Sequence, residues 1–173
     1  MPRFAAMASV SLAVLLGLAA ATAGANQGRA FNGHFPIEDH FVVEPDSTIC
    51  GFPITLDITG EGTFNFRMDA DGNPVALHTH ELTVGTLSAN GIELRDFSSD
   101  NKHYDFQTST MSETGLVFRD KFLGGKVVIM DRGRLIWNFD PDTNEPIGDP
   151  LFEAGPHPEL HGDIAALCAA LTP

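Results

Sequence analysis

Short runs of alternating apolar and polar residues, separated by turn signals, fill the chain from about residue 41 onward. In residues 52–59 the alternation places Phe52, Ile54 and Leu56 on one face of a strand. A similar run follows at 63–68, and the intervening Gly60-Glu61-Gly62 predicts a hairpin turn. Further runs of this kind occupy residues 41–43, 75–87, 92–97, 104–108, 116–118, 126–130 and 134–139. This spacing predicts an all-β domain.

The turn signals set the expected number of strands. Asn90-Gly91 and Asp131-Arg132-Gly133 both predict tight turns. The alternation in residues 75–87 changes phase, which predicts a β-bulge near residues 79–81. We therefore expect about eight or nine antiparallel strands. An antiparallel β-barrel is the expected arrangement, because closure removes the sheet edges, and a β-sandwich is the alternative.

The C-terminal part of the chain has a different pattern. Residues 140–162 are rich in Pro, Gly and Asp and predict mostly loop. Asp163 then precedes an apolar run over 164–171, which predicts a short helix capped by that aspartate. Two helical turns are marginally stable alone, so this helix needs tertiary contacts.

The N-terminal residues 1–25 predict a secretory signal peptide. Arg3 supplies a positive n-region, residues 10–21 form an apolar core, and small-residue triplets place cleavage near Ala23 or Ala25. The core is too short for a membrane-spanning helix, so we expect no membrane anchor in the mature chain. The prediction is a secreted, extracellular protein with a flexible leader at 26–36 and one β domain at 37–173.

Export to an oxidising compartment bears on the state of the two cysteines. Cys50 and Cys168 are the only cysteines in the chain. In an oxidising compartment a single pair without a leftover thiol predicts a structural disulfide. Such a bond would tie the short C-terminal helix to the β domain.

The charge of the chain restricts its partners. The formal net charge is −13 at pH 7. An acidic chain of this kind is disfavoured on nucleic acid and on anionic membrane surfaces. We therefore expect neither as a partner, and the charge also favours solubility outside the cell.

The clearest candidate for chemistry is His78-Thr79-His80. Residues i and i+2 of a strand project from one face, so His78 and His80 could both reach a metal ion. The alternative is two polar residues on a solvated strand face. A metal site also needs a third ligand, for which the other histidines considered are His40, His103, His157 and His161.

The remaining chemistry-bearing residues predict no site. His157 and His161 have helical ligand spacing, but Pro156, Pro158 and Gly162 favour ordinary loop histidines. The chain has no Gly-x-Ser-x-Gly motif. We therefore predict no catalytic residues and no cofactor, and the sequence assigns no ligand-binding residues or oligomeric state.

Three short segments together carry a family resemblance: Cys50-Gly51-Phe52-Pro53-Ile54, Asp131-Arg132-Gly133-Arg134-Leu135, and Asp163 to Cys168. The chain resembles uncharacterised secreted β-rich proteins of high-GC Gram-positive bacteria. The resemblance implies export, β structure and the disulfide. It implies no activity and no catalytic residues.

Phenylalanines on the apolar faces of strands, without a catalytic constellation, favour binding over catalysis. We expect a secreted β-barrel domain that binds a small apolar ligand or a cell-surface component. One alternative is an enzyme with a site at the barrel mouth, which could use a metal ion held by His78 and His80. Another is a structural protein of the cell envelope.

Overall fold

The computed structural model describes residues 28–44 and 50–173. Within them lie seven strands and one short helix: β1 Ala30–Val43, β2 Ile54–Met68, β3 Pro74–Ala89, β4 Ile92–Asp105, β5 Thr110–Phe122, β6 Val127–Phe139, β7 Pro146–Ala154 and α1 Ala165–Ala170. The prediction of an all-β domain with a short C-terminal helix is confirmed. The predicted signal peptide lies outside the described residues.

All seven strands belong to one antiparallel sheet, and each strand pairs with its neighbours in the chain. The order β1-β2-β3-β4-β5-β6-β7 leaves β1 and β7 as the two edges. The sheet is therefore a meander that is not closed into a barrel. It also has fewer strands than the eight or nine predicted.

Two segments predicted as turns lie inside strands, which explains the lower number. Gly60-Glu61-Gly62 is part of β2, whose pairing with β1 and β3 continues through it. A Cβ atom at Gly60 would collide with the carbonyl oxygen of Leu82, and one at Gly133 in β6 with that of Ala154. These glycines permit close approach between neighbouring strands rather than chain reversal. Both turn predictions were wrong for this reason.

The predicted bulge near residues 79–81 is also wrong, because β3 pairs without interruption with β2 and β4 there. The phase change is real and has another cause. Leu77 and Leu87 lie on the face that packs the core, which we call the inner face. Leu82 and Val84 lie on the opposite, outer face and are exposed. The inner face is polar in between.

Two apolar clusters lie on the inner face, one toward each end of the strands. The first joins strand residues to the C-terminal segment and consists of Ile54, Leu56, Leu87, Ala89, Leu94, Ile129, Ile164, Leu167 and Leu171. The second consists of Met111, Leu135, Trp137 and Phe139. Burial of the first cluster docks α1 on the sheet. A helix of this length needs such tertiary contacts, because it is not stable alone.

The predicted disulfide between Cys50 and Cys168 is confirmed, with Cα atoms 5.1 Å apart and a sequence separation of 118 residues. The side-chain amide of Asn90 adds a second tie by donating to the carbonyl of Leu171 at 3.0 Å. The predicted cap is wrong: Ile164 occupies the N-cap position of α1 and makes no side-chain capping bond.

The ends of the sheet extend beyond the predicted strands. Strand β1 begins at Ala30, within the segment 26–36 predicted as a leader, and β7 lies within the predicted loop 140–162. Strand β7 is almost fully exposed and pairs with β6 at only five positions. Among the described residues, α1 is much too short to cross a bilayer and no other helix could do so.

Candidate functional site

Two depressions lie on the outer face, and the larger of the two is a groove of about 850 Å³. Its floor includes Val84 and Phe97, which face each other across β3 and β4. The guanidinium of Arg119 lies over the Phe97 ring at 5.3 Å from its centroid. The side chain of Val84 is 54 % exposed. The groove therefore offers apolar surface to solvent beside a cation.

The β4–β5 side of the groove is basic. Arg95 and Lys121 are paired across these strands, and Arg119 lies two positions before Lys121. None of the three forms an ion pair with a described residue. The Nε atom of Arg119 is buried and has no hydrogen-bond partner among the described residues. Unpaired guanidinium groups of this kind are suited to carboxylate or phosphate oxygens.

The β1–β2 side of the groove is acidic. It is formed by Glu38, Asp39, His40 and Asp57. His40 and Asp57 are register partners, and their Nδ1 and Oδ1 atoms lie 2.5 Å apart. His40 is thus engaged on this wall, away from His78 and His80. The groove is therefore dipolar: three cations without ion pairs to described residues line one side, with the buried Asp96 among them, and carboxylates line the other.

His78 and His80 lie together in a second, smaller pocket of about 350 Å³ on the outer face. The sequence prediction that they share a face is therefore confirmed. His103, one of the proposed third ligands, pairs with His78 and stacks on it with ring centroids 3.9 Å apart. Burial first, then His103 and Arg67, lower the pKa of His78 below its ordinary value.

The metal interpretation of His78 and His80 stays a prediction. Nitrogen lone pairs lie in the plane of the imidazole ring, so the face-to-face stack does not direct His78 and His103 toward one ion. Among residues 28–44 and 50–173, no three His, Cys, Asp or Glu side chains are arranged to hold a metal. His157 and His161 are engaged elsewhere, with Asp131 and Glu153 respectively.

A cluster of charged side chains occupies the centre of the inner face. The Nζ atom of Lys102 lies 3.1 Å from Glu81 Oε2, 3.5 Å from Asp100 Oδ2 and 4.0 Å from Glu113 Oε1. All four side chains are at most 15 % exposed. We call this set the Lys102 cluster. It separates the two apolar clusters, so the centre of the inner face is not an apolar lumen.

The pKa values in the Lys102 cluster follow from burial and charge. Burial raises the pKa of Glu113 to about 7 against the opposing effect of Lys102. Burial by itself would lower the pKa of Lys102, but Asp100, Glu81 and Glu113 outweigh it and raise that pKa. Lys102 is therefore a permanent cation that holds the surrounding carboxylates in place.

Asp96 and Asp120 form a second buried group, hydrogen-bonded to each other. They are 8 % and 2 % exposed. Burial and the adjacent Asp96 raise the pKa of Asp120 to about 8, and burial raises that of Asp96 as well. Asp120 therefore keeps a proton at neutral pH, which its hydrogen bond to Asp96 lets the two carboxyl groups share.

These raised pKa values predict that acid stabilises the fold. Asp120 has a folded pKa of about 8 against an ordinary value of 3.8, so the folded state binds more protons across that interval. Stability is then greatest at the acidic end and falls as pH rises toward 8. We expect the free energy of unfolding to fall by roughly 2–4 kcal/mol from pH 5 to pH 8, measured by urea denaturation.

The matched variants are Asp120→Asn and Asp71→Asn. Asp120→Asn removes the shared proton and reduces the pH dependence, of which Glu113 keeps a part, whereas Asp71 is an exposed turn residue and its variant keeps the slope. A stability that rises between pH 5 and pH 8, or an unchanged slope in Asp120→Asn, contradicts the assignment.

His157 lies in the loop after β7, as predicted, and is a buried structural residue. It is 2 % exposed, and its Nδ1 lies 2.8 Å from Asp131 Oδ1. Its Nε2 lies 3.2 Å from the carbonyl oxygen of Ala154, which can only accept, so Nε2 carries a hydrogen. This pair fastens the segment after β7 to β6.

The Lys102 cluster was missed at the sequence level, although one signal pointed to it. Thr79, Glu81 and Thr83 alternate on the same face of β3 as Leu77 and Leu87. The change of phase in the alternation of residues 75–87 therefore marks a polar zone of the inner face and not a bulge. The partners on β4 and β5 carry no local signal, since only strand pairing brings them together.

No family model, curated protein or solved structure matches this chain. The resemblance to secreted proteins of high-GC Gram-positive bacteria therefore stays an expectation.

Proposed function

We propose that this protein is secreted and binds a small amphipathic anion in the outer-face groove. The observation that carries the proposal is the group of three cations, Arg95, Arg119 and Lys121, which lack ion-pair partners among the described residues beside exposed apolar surface. In a chain of net charge −13, unpaired cations gathered on two strands favour an anionic ligand.

Arg119 is the expected anchor for the anionic group. Its guanidinium is already ordered against Phe97, so less side-chain entropy is lost on binding than for a free arginine. Hydrogen bonds to a charged group contribute about 1.5–3 kcal/mol. The buried, unpartnered Nε atom supports this role, because a ligand oxygen would relieve it.

The apolar part of the ligand is expected to lie over Val84 and Phe97. The groove volume of about 850 Å³ falls within the usual range of small-molecule sites. The sequence analysis expected an apolar ligand inside a barrel. We propose the outer face instead, because the Lys102 cluster occupies the centre of the inner face. The disulfide supports an oxidising, extracytoplasmic location.

The test is binding of dansylaminoundecanoic acid, a fluorescent amphipathic anion, with its methyl ester as the uncharged counterpart. We expect the acid to bind and the ester to bind at least about tenfold more weakly, because the ester lacks the anion. Arg119→Gln should weaken binding of the acid by about tenfold or more and leave the ester nearly unchanged.

The matched control is Arg134→Gln. Arg134 lies on the outer face of β6 and is also stacked on an aromatic ring, that of Phe152 at 5.8 Å, but it does not line the groove. Equal losses in Arg119→Gln and Arg134→Gln would show a general charge effect and reject the site. Failure of the acid to bind would reject the proposal and favour the enzyme or structural alternatives.

A further inference from the structure

The histidine pocket is built from two rows of side chains on four neighbouring strands. One row is Asn65, His78, His103 and Ser112, and the other is Thr63, His80, Asn101 and Thr114. All eight positions carry neutral or titratable hydrogen-bonding groups, and no carboxylate of the described residues lines the pocket. Lys102 also lines it, but its ammonium is paired with Glu81, Asp100 and Glu113 on the inner face. The array therefore offers both donors and acceptors without a fixed charge.

Two of these side chains have their hydrogen-bonding roles set by neighbours. The Nδ1 atom of His80 lies 3.1 Å from the carbonyl oxygen of Asp100. A carbonyl oxygen only accepts, so Nδ1 carries the hydrogen and Nε2 remains as an acceptor. The side-chain amide of Asn65 donates to Asn32, which leaves its own oxygen as an acceptor.

The stacked His78 and His103 rings add a flat surface to the pocket. The lowered pKa of His78 keeps that ring neutral at and above neutral pH. The Nδ1 atom of His103 is buried without a hydrogen-bond partner among the described residues. A buried polar atom without a partner calls for a water or a ligand group.

We propose that this pocket binds one uncharged saccharide unit, with hydroxyl groups hydrogen-bonded to the asparagine and histidine side chains. Ring hydroxyls both donate and accept, which matches the mixed array. An ion matches it less well, because the eight side chains carry no fixed charge and the ammonium of Lys102 is already paired with carboxylates on the inner face. The site is independent of the groove, from which the exposed Leu82 and its row neighbours separate it.

The test is isothermal titration with a panel of methyl hexosides and methyl N-acetylhexosaminides. We expect at least one to bind with a dissociation constant in the millimolar range or below. Binding should shift the Cε1–H proton resonances of His78 and His103. Asn101→Ala should weaken the binding by about tenfold while the thermal melting curve stays that of a folded protein.

His161→Ala is the matched control, because that exposed imidazole is paired with Glu153 away from the pocket. It should leave glycoside binding unchanged, as should Arg119→Gln in the groove. Absence of binding by the whole panel overturns the proposal, as does an unchanged affinity in Asn101→Ala. Zinc binding that is lost in His80→Ala but kept in Asn101→Ala, without glycoside binding, would replace it with the metal interpretation.

Discussion

Lys102→Met is expected to lower the free energy of unfolding by about 3–5 kcal/mol, because it leaves a buried group of carboxylates without their cation. Glu81, Asp100 and Glu113 lie within 4.0 Å of the Lys102 ammonium and are largely buried. Methionine keeps most of the side-chain volume, so packing alone does not account for the loss. Urea denaturation at pH 8 measures it.

The pH dependence of Lys102→Met distinguishes charge from packing. Glu113 has a pKa of about 7, so acidification to pH 5 protonates it and relieves part of the repulsion. We therefore expect the defect to shrink at pH 5, and Glu113→Gln to restore part of the stability at pH 8. Lys121→Met is the control, since Lys121 lies on the outer face without an ion pair to a described residue. Similar defects in both methionine variants at both pH values would contradict this role for Lys102.

Cys50→Ser combined with Cys168→Ser is expected to be the second large change. The bond closes a loop of 118 residues, for which the chain-entropy model gives a stabilisation of about 5 kcal/mol as an upper figure. We expect a measured loss of about 3–5 kcal/mol in guanidinium denaturation, and the same loss when the wild-type protein is reduced.

The loss should be accompanied by release of α1. This helix has six residues. It packs on the sheet through Leu167 and through the two residues that flank it, Ile164 and Leu171. Hydrogen exchange of the Leu171 amide, which donates to Leu167, reports its docking. Ala169→Ser, an exposed change on the same helix, should leave both measurements unchanged. Full protection of Leu171 without the disulfide would show that packing alone holds the helix.

The two faces of the sheet have different consequences for this protein. The inner face combines two apolar clusters with buried ionisable groups, so it governs stability and its pH dependence. The outer face carries the two depressions to which we assign ligands. Successive residues of a strand point to opposite faces and so serve these two separate roles. Substitutions on the outer face can therefore test binding with little effect on the core.

Local sequence patterns predicted the features that depend on local physics. Alternation from Phe52 onward predicted a strand, and the structure has β2 from Ile54. The Asn90-Gly91 pair predicted a tight turn, and both residues have positive φ in the structure. The same patterns failed at Gly60 and Gly133, because a glycine needed for close strand approach looks the same in sequence as a glycine needed for a turn.

The sequence by itself determined the β class, the terminal helix, the disulfide pair and the shared face of His78 and His80. Each of these follows from period-two geometry, residue propensity or the count of cysteines. Only the tertiary structure decided that β1 and β7 do not pair with each other, that Lys102 contacts three carboxylates and that Arg119 lies over Phe97. These are contacts between strands, and they depend on pairing register, which no single segment encodes.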